Sequence, residues 1–363
     1  MNTPRRVALV YRSGKPRESA WSGIPAGLAH GLSTLGFKAE FIDAEPRRSV
    51  VHLTQIWTTL VYGNRTGGML APEIRELRRM CARLRAPRRA SDGVVQMGSD
   101  FGVPLPGRLV TYDDQTVSQL ERVYPIRELL GADALTRWIQ EQGKCYEAAV
   151  TCCAMSRWTA DSIVHDYDVD PGKVRVVGAG RNYDPRPVER EWTPARFLFM
   201  GYDWERKNGE LVLRAFARLR ERVRDARLDI AGGHPRVDME GVTAHGPLRL
   251  SDPYERAHAE ELFESATCFV MPSQCENFGI VYVEAAAAGV PSIGTTIGGA
   301  ADAIGQEGGL LVDPSNEEAL VAAMAAMCDP ERARRMGAAA RARSHLFTWE
   351  AVARRITEAL GLL

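Results

Sequence analysis

The sequence predicts an α/β protein built from two doubly wound lobes, each a parallel sheet covered by helices. Its 363 residues exceed one typical domain, which favours two lobes. Short apolar segments alternate with longer helical patterns along most of the chain, as in strand–helix–strand units. A proline-rich run at 183–194 interrupts this alternation and is interpreted as an interdomain linker.

Composition is that of an ordinary folded protein. The chain is 45% hydrophobic and 25% charged, and its formal net charge is zero, so we expect no nucleic-acid partner. The first apolar run is too short for a signal peptide and no stretch of 18 apolar residues occurs, which predicts a cytoplasmic protein. The seven cysteines lack metal-ligand spacing and are expected to be reduced.

The first lobe, predicted over 1–182, begins with a strand, a loop, a helix at 24–35 and a second strand. Gly23 lies where the helix N-terminus would face the carboxyl edge of the first strand, as a helix start or as a ligand contact. About six strands are predicted in this lobe, with candidates at 6–11, 38–42, 93–96, 108–112, 148–151 and 174–177. A helix is predicted at 156–167.

Three acids fall beside two of these strands. Asp100, Asp113 and Asp114 lie where open parallel sheets place their ligand crevice, so they are candidates for binding acceptor hydroxyls or amines. Solvated loop acids are the alternative, and the favoured one.

The segment 73–89 has the pattern of a basic helix. Ile74, Leu77, Cys81 and Leu84 share one face and arginines fill the others. Two interpretations stay open. A solvated surface helix is favoured, because the chain is rich in arginine throughout, and a helix lying on an anionic membrane surface is the alternative.

The second lobe, predicted over 195–345, places two cations beside a strand end. A strand at 196–200 leads into a polar loop and a helix at 210–223, and Arg206 and Lys207 are adjacent at this loop-to-helix junction. Two cations at the carboxyl side of a strand suit a diphosphate.

The stretch 269–291 is predicted to be a strand, a glycine turn and a helix. Glu276 precedes the turn at Gly279, and Glu284 lies inside an apolar helix where a buried acid needs a partner. A helix N-terminus entered through glycine offers unpaired N–H groups to an anion. The remaining elements are strands at 228–231, 291–294 and 309–312, and helices at 253–265, 317–327 and 349–360.

An ordered set of motifs then identifies a family resemblance. The set comprises 199–207 with its Arg-Lys pair, Glu276 and Glu284 around Asn-Phe-Gly-Ile at 277–280, Ala-Ala-Gly-Val-Pro at 287–291, Gly298-Gly299 and Leu-Val-Asp-Pro at 311–314. It resembles the family 4 retaining glycosyltransferases. The resemblance implies the GT-B fold, in which two Rossmann-like lobes face each other across a cleft and a C-terminal helix, here 346–363, packs back on the first lobe.

The resemblance also implies roles for individual residues. Glu276 would face the hydroxyls of the transferred sugar, and the N–H groups of Phe278, Gly279 and Ile280 would meet sugar and phosphate. Glu284 would bind the nucleotide ribose.

Arg206 and Lys207 would neutralise the diphosphate, approached from the first lobe by Gly23. Further donor-binding positions are Gly201, Gly246 and Leu248. The sequence departs from the family pattern at Asn208, where glycine is usual, and at 112–114, where many members place a histidine.

The function that follows is metal-independent, retaining transfer of a sugar from a UDP- or GDP-type nucleotide sugar to a hydroxyl of a small-molecule acceptor, with no other cofactor. A lipid-linked or polysaccharide acceptor is the alternative, and a GT-B epimerase or phosphorylase uses the same phosphate chemistry. A non-catalytic scaffold that binds a sugar nucleotide is a further alternative. The sequence does not predict the oligomeric state.

Overall fold

The structure is a computed structural model that describes residues 4–62, 72–87, 89–102, 107–183, 188–249 and 252–363. The chain divides into two compact units, Met1–Gly180 with Trp349–Leu363, and Arg181–Thr348. Each unit contains a six-stranded parallel sheet. The predicted α/β class with two doubly wound lobes is therefore confirmed.

The first unit has the sheet order β2-β1-β3-β4-β5-β6. Its direction of winding reverses between β1 and β3, and open α/β sheets bind ligands at the carboxyl ends of strands at such a point. The strands are β1 Arg6–Tyr11, β2 Lys38–Asp43, β3 Gly93–Met97, β4 Arg108–Asp113, β5 Thr151–Ala154 and β6 Val174–Val176.

One predicted strand in this unit is wrong. The segment 148–151 is not a strand, because Ala148 still belongs to a helix and the Ala149 N–H continues its hydrogen bonding to the Cys145 carbonyl at 3.1 Å. The fifth strand begins at Thr151 instead. Alanine suits a helix end as well as a buried strand, so the apolar run alone did not locate the boundary.

Helices flank this sheet, and two follow directly on β2. The helices are α1 Ile24–Thr34, α2 Arg48–Tyr62, α3 Pro72–Arg85, α4 Val117–Val123, α5 Ile126–Leu130, α6 Ala132–Ala148 and α7 Arg157–Tyr167. Sequence patterns missed α2, because its apolar residues are interspersed with β-branched ones that also suit a strand.

The basic segment 73–89 is corrected in both length and exposure. It forms α3, which ends at Arg85. Arg75 and Arg78 are buried rather than solvated: Arg75 pairs with Glu141 at 3.1 Å and lies over the Trp138 ring. Arg78 pairs with Glu45 at 3.0 Å, so two of the arginines hold α3 in place.

The second unit has the sheet order β12-β11-β10-β7-β8-β9. Winding reverses here between β7 and β10, which makes their carboxyl ends the expected ligand position. The strands are β7 Arg196–Gly201, β8 Arg227–Gly232, β9 Val242–Gly246, β10 Cys268–Val270, β11 Ser292–Thr295 and β12 Gly309–Val312. Of these, β9 was interpreted only as a turn at Gly246.

Three helices of the second unit start at side-chain caps. Asp252, Asn316 and Asp329 each accept backbone N–H bonds in the first turn of the following helix. The helices are α8 Gly209–Arg220, α9 Pro253–Ser265, α10 Ile280–Ala287, α11 Ala300–Ile304, α12 Glu317–Met327 and α13 Pro330–Arg343. The bounds of α9 and α12 are those predicted.

The predicted linker is anchored within the second unit. Arg190 donates hydrogen bonds of 3.0 to 3.1 Å to the carbonyls of Phe263, Glu264, Ala288 and Gly289, where α9 and α10 end. These carbonyls have no partner within their helices, so one guanidinium satisfies both helix ends. Residues 188–194 of the predicted interdomain linker are therefore held on the second unit, and residues 184–187 lie outside the described part of the chain.

The last helix, α14 Trp349–Ala359, belongs to the first unit. It packs on α1, where Gly27 leaves room for the Trp349 indole: a Cβ at Gly27 would lie 2.1 Å from Trp349 Cε2. A Cβ at Gly31 would lie 2.1 Å from the carbonyl oxygen of Trp349. Two glycines spaced by four residues thus form the groove that receives this helix.

Three further properties concern the whole described chain. Within the described ranges, no helix has both the length and the apolar character needed to cross a membrane. The described histidines, cysteines and acids form no group of three or more that could hold a metal ion. All seven cysteines are free thiols, five of them buried.

Candidate functional site

In the second unit, the loops after β7 and β10 meet at the point where winding reverses. Lys207, from the first loop, forms an ion pair with Glu276, from the second. The two side chains are only 13% and 10% exposed. Ser273 Oγ donates a further hydrogen bond of 3.2 Å to Glu276 Oε2. The predicted catalytic residues Lys207 and Glu276 therefore occupy one small, partly dehydrated site.

Backbone contacts hold the two loops together. The Gln274 N–H donates to the Arg206 carbonyl at 2.9 Å. Asn208 adopts the left-handed conformation, at φ 63°, and its side-chain amide donates to the carbonyls of Pro272 and Pro314 at 3.1 and 2.7 Å. The departure from the family's glycine is therefore accommodated, since asparagine tolerates this conformation and adds two bonds.

Glu276 is also fixed through its backbone. Its N–H donates to the Ile297 carbonyl at 3.1 Å, and its carbonyl accepts from the Gly299 N–H at 2.7 Å. At Gly298 the φ angle is +100°, and a Cβ there would lie 2.1 Å from the Glu276 carbonyl oxygen. The Gly298-Gly299 motif thus allows this turn to approach Glu276 closely.

Arg206 differs from its neighbour in being accessible. Its side chain is 34% exposed, pairs with Asp203 at 3.2 Å, and contacts the Cys275 carbonyl at 3.4 Å. An exposed pair of this kind is weak. Arg206 is therefore a more accessible cation than Lys207, and the two lie side by side at the same loop end.

Gly279 starts α10 in a left-handed conformation, at φ +84°. A Cβ there would collide with the Tyr282 ring at 2.4 Å, so the turn requires glycine. Within the part of the chain that is described, the N–H groups of Phe278, Gly279 and Ile280 donate no hydrogen bond. Such groups at a helix N-terminus form an anion site.

Glu284 is buried one turn into α10. Its carboxylate accepts from the Asn182 N–H at 3.3 Å. Burial raises the pKa of Glu284 to about 7, and the Asn182 hydrogen bond only partly opposes this effect. At neutral pH the acid is therefore balanced between its two protonation states, a property found at many functional positions.

The remaining predicted donor residues lie around this centre. Gly201 ends β7. A Cβ added at this position would lie 3.0 Å from Cγ of Lys207, so glycine leaves space for the lysine side chain. Gly246 ends β9, at the outer edge of the sheet and two strands from β7. The Tyr202 hydroxyl donates to the Leu248 carbonyl, which joins the loop after β7 to the segment after β9.

The first unit contains a separate polar pocket at its own reversal point. Asp100, Asp113 and Asp114 all line this pocket, together with Arg12 from the end of β1. Arg12 Nε donates to Asp100 Oδ1 at 3.2 Å. The predicted acceptor-binding acids are thus brought together. Arg12 was missed by sequence reasoning, although its position directly after the first strand is a signal that could have identified it.

The favoured interpretation of these acids as solvated loop residues is wrong. Asp113 is fully buried as the last residue of β4, and Asp100 is 7% exposed. Ser99 donates to Asp113 Oδ1 from its N–H at 2.7 Å and from its hydroxyl at 2.8 Å. Within the described residues, the second carboxyl oxygen of both acids is buried without a hydrogen-bond partner. Burial raises the pKa of Asp113 to about 7.

Gly23 lies at the N-terminus of α1, at φ +81°. The two residues before it, Trp21 and Ser22, are also left-handed, at φ 47° and 55°. Such a conformation costs non-glycine residues of order 1 to 3 kcal/mol, and such strain is common in ligand-binding loops. The Trp21 ring contacts the Tyr112 ring edge-on at 6.5 Å and lines the same pocket as the three acids.

Comparison with known proteins agrees with this geometry. Residues 194–329 match the family described as "Glycosyl transferases group 1". D-inositol 3-phosphate glycosyltransferase of Streptomyces griseus is 31% identical over 234 residues, which are 53% of this chain and 50% of that protein. The chain spans about half the length of the curated relatives it matches.

Solved structures resemble the chain over nearly its full length. A sucrose-phosphate synthase from Thermosynechococcus elongatus has a TM-score of 0.68 at 17% identity, covering 98% of both chains. A glycosyltransferase from Rickettsia africae has a TM-score of 0.62 at 16% identity, covering 99% of this chain and 98% of that one. The fold is therefore GT-B, that of a class of glycosyltransferases. Residues 194–329 match the group 1 glycosyl transferases, so the resemblance predicted from the motifs is confirmed.

The raised pKa of Asp113 predicts a pH-dependent stability. Between pH 4 and 7 the folded protein retains a proton on Asp113 that the unfolded chain has released, because the folded pKa of about 7 exceeds the ordinary value of 3.8. Stability due to this residue is therefore lost as pH rises through that window. Asn at this position keeps the acceptor for Ser99, so Asp113→Asn should gain stability relative to wild type, up to about 4 kcal/mol at pH 8.

Urea unfolding of both proteins at several pH values measures this gain, with the exposed Asp133→Asn as the matched control for loss of one carboxylate. A wild-type protein more stable than Asp113→Asn at pH 8 would show that the buried carboxylate is well solvated or paired.

Proposed function

We propose that this protein is a retaining glycosyltransferase that moves a sugar from a UDP- or GDP-type nucleotide sugar to a hydroxyl of a small polyol, without a metal ion. The observation that carries the proposal is the Lys207–Glu276 pair, held at the reversal point of the second sheet beside the N-terminus of α10. There a cation, a carboxylate and unpaired backbone N–H groups converge on one position.

The diphosphate is the group that these charges suit. Negative charge accumulates on it as the glycosidic bond breaks, and cations placed beforehand stabilise that charge more than they stabilise the intact donor. Lys207 is held by Glu276, and the more exposed Arg206 would contact the phosphates beside it. Lys207 supplies a preorganised charge. Arg206 adds positive charge without the cost of burying a second cation.

Two acids then bind the two sugars of the donor. Glu276 retains a carboxylate oxygen for hydroxyls of the transferred sugar. Glu284 accepts the ribose diol, which accounts for an acid buried in an apolar helix with a raised pKa. Binding of the diol supplies hydroxyl donors to this carboxylate in addition to the Asn182 N–H.

The acceptor binds in the pocket of the first unit. Polyol hydroxyls are hydrogen-bond donors, and Asp100 and Asp113 have oxygens that no described residue satisfies. A relative named for acting on D-inositol 3-phosphate makes a polyol the natural class of acceptor. Arg12 pairs with Asp100 and would also contact an anionic substituent on such an acceptor.

Retention without an enzyme nucleophile requires attack on the same face from which the diphosphate departs. The acceptor oxygen forms the new bond to the anomeric carbon, the bond to the phosphate oxygen breaks, and the acceptor proton passes to that phosphate oxygen. The enzyme contributes positioning and charge stabilisation. In the proposed reaction, Arg206 and Lys207 supply the positive charge for the diphosphate, so no metal ion is required.

The donor and the stereochemistry are tested together. A panel of nucleotide sugars is screened by thermal shift, since a donor at 100 times its dissociation constant adds about 2.7 kcal/mol of stability. The donor that binds is incubated with polyols in the presence of EDTA, and NMR of the product reports the anomeric configuration. An inverted product excludes retention, and loss of activity in EDTA excludes metal independence. Formation of sugar phosphate from a glycoside and inorganic phosphate, without a nucleotide, indicates a phosphorylase.

Replacing the fixed cation should abolish transfer. Lys207→Met keeps the aliphatic stem, and we expect turnover to fall by roughly 100-fold or more because the leaving group loses its preorganised charge. Since this variant also leaves Glu276 buried without its partner, Lys207→Met with Glu276→Gln should recover stability, and Glu276→Gln alone measures how much activity is lost with the sugar contact of Glu276. The exposed Lys144→Met is the control. Full activity in folded Lys207→Met would exclude the assigned role.

Nucleotide affinity should depend on Glu284 ionisation. With a pKa of about 7 in the free protein, the carboxylate is largely protonated below pH 7, so affinity should fall from pH 8 to pH 6, and binding near pH 7 should release a proton. Glu284→Gln should weaken binding by about 1 to 3 kcal/mol and remove most of this pH dependence. Calorimetry in buffers of different ionisation enthalpy measures both, with the exposed Glu331→Gln as control. An unchanged pH profile in Glu284→Gln would contradict the ribose contact.

A further inference from the structure

Helix α2 presents apolar side chains to solvent. Leu53, Ile56, Trp57 and Leu60 are 66%, 46%, 50% and 80% exposed. Their spacing of three, four and seven residues places them on one face of the helix. A stripe this regular is the pattern of a buried helix face, yet in this unit it faces outward. We call these four residues the α2 stripe.

The inward face of α2 is the more polar one. Val51 and Thr58 are the buried residues between 48 and 60, and Val51 packs with Ile74 of α3. The Thr58 hydroxyl is satisfied within α2 by the Gln55 carbonyl at 3.0 Å. Packing against the first unit therefore does not explain the apolar residues of the stripe, because another face of the helix makes that contact.

Helix α3 extends the apolar surface and adds cations to it. Met80 and Leu84, four residues apart on α3, are 44% and 84% exposed. Arg83 lies between them and is exposed, and α2 begins with the exposed residues Arg47 and Arg48. Residues 47–62 contain no acid, and Arg47, Arg48 and Arg83 place positive charge on the two helices. Glu76, one turn before Met80 on α3, is paired with Arg79.

The arginines at the start of α2 do not serve helix stability. Cations at a helix N-terminus oppose the helix dipole, and α2 has no acid in its first turn to compensate. Exposed apolar residues of this size also favour association over solubility. Both features are unfavourable for an isolated surface helix, and both are favourable for a helix that lies on an anionic lipid surface.

We infer that α2 docks the first unit onto an anionic membrane surface, with the α2 stripe and Leu84 entering the interface and the arginines contacting lipid phosphates. The helix is 15 residues long, about 22 Å at 1.5 Å per residue, and so lies along the interface rather than crossing a bilayer core of about 30 Å. This inference concerns the surface of the first unit alone and does not depend on the proposed transfer reaction.

A second copy of this chain is the less suitable occupant. A two-fold contact through this surface would place the same arginines of both copies against each other, because a two-fold interface pairs each patch with itself. The surface provides no acids between 47 and 62 to compensate. Anionic lipid, by contrast, complements both its apolar and its charged components.

The experiment is co-sedimentation of the full chain with vesicles. Vesicles of phosphatidylcholine alone are compared with vesicles that also contain phosphatidylglycerol, each at low and high salt. We expect binding to the anionic vesicles at low salt, weakened at high salt as screening reduces the arginine contribution. Leu53→Glu with Leu60→Glu should reduce binding roughly tenfold or more, since two exposed leucines no longer enter the interface.

The matched control is Leu363→Glu, another leucine of the first unit with a similar exposed fraction of 58%. It should bind like wild type, and thermal unfolding of all variants verifies that they are folded. Arg48→Gln with Arg83→Gln should lower binding and its salt dependence while leaving the apolar contribution.

Failure of the wild-type chain to bind anionic vesicles at low salt would overturn the inference, as would an equal loss in Leu363→Glu. Sedimentation velocity covers the remaining case. A dimer that Leu53→Glu with Leu60→Glu dissociates, in a protein that binds no vesicles, would assign the surface to a second copy instead. Donor thermal shifts in the same variants are unaffected under the inference, so its failure is distinct from failure of the proposed transferase function.

Discussion

The ion pair between Lys207 and Glu276 organises the second unit. Two loops that leave adjacent strands in the sheet, yet are 69 residues apart along the chain, are joined by one lysine and one glutamate. Burying such a pair gains little stability, because desolvation offsets the attraction, and removing one partner is far more costly than removing both. Gly298, Asn208 and Ser273 contribute backbone proximity and hydrogen bonds that hold this pair in place. The surrounding structure makes the arrangement rigid, as a preorganised electrostatic site requires.

A second theme is that both units bury acids whose ionisation costs stability. Glu284 in one unit and Asp113 in the other have pKa values raised to about 7 by burial. Each has one or two hydrogen bonds, too few for a dehydrated carboxylate. A core position occupied only for stability would hold a neutral residue of similar size. The acids are better explained by ligands whose hydroxyl groups complete their coordination.

Sequence reasoning selected candidate site residues from two sources. Arg206, Lys207, Glu276 and Glu284 were chosen for their positions beside glycine turns and strand ends, and their roles came from the family resemblance. The pairing of Lys207 with Glu276 could not be predicted, since it depends on β7 and β10 being neighbours, and strand order is not encoded locally. Gly246 was taken for a turn because β9 is short and largely polar.

The first unit shows the opposite limit. Its arginines were treated as one solvated group, whereas Arg75 and Arg78 are buried in ion pairs and Arg83 is exposed on the same helix. Helical periodicity predicts the buried face of a helix only when the apolar residues lie on the side that faces the protein. In α3 the buried arginines form ion pairs with Glu141 and Glu45, which lie in other segments of the chain.

In α2 the apolar periodicity also fails to predict the buried face, here because the apolar residues are exposed to solvent. The regular apolar spacing belongs to a face whose side chains are 46% to 80% exposed. A periodic pattern therefore reports that a helix has an apolar partner, without specifying whether that partner is the protein core. For α2, the exposure of the apolar face is the basis for inferring an external partner, and the arginines at 47, 48 and 83 are the basis for inferring an anionic one.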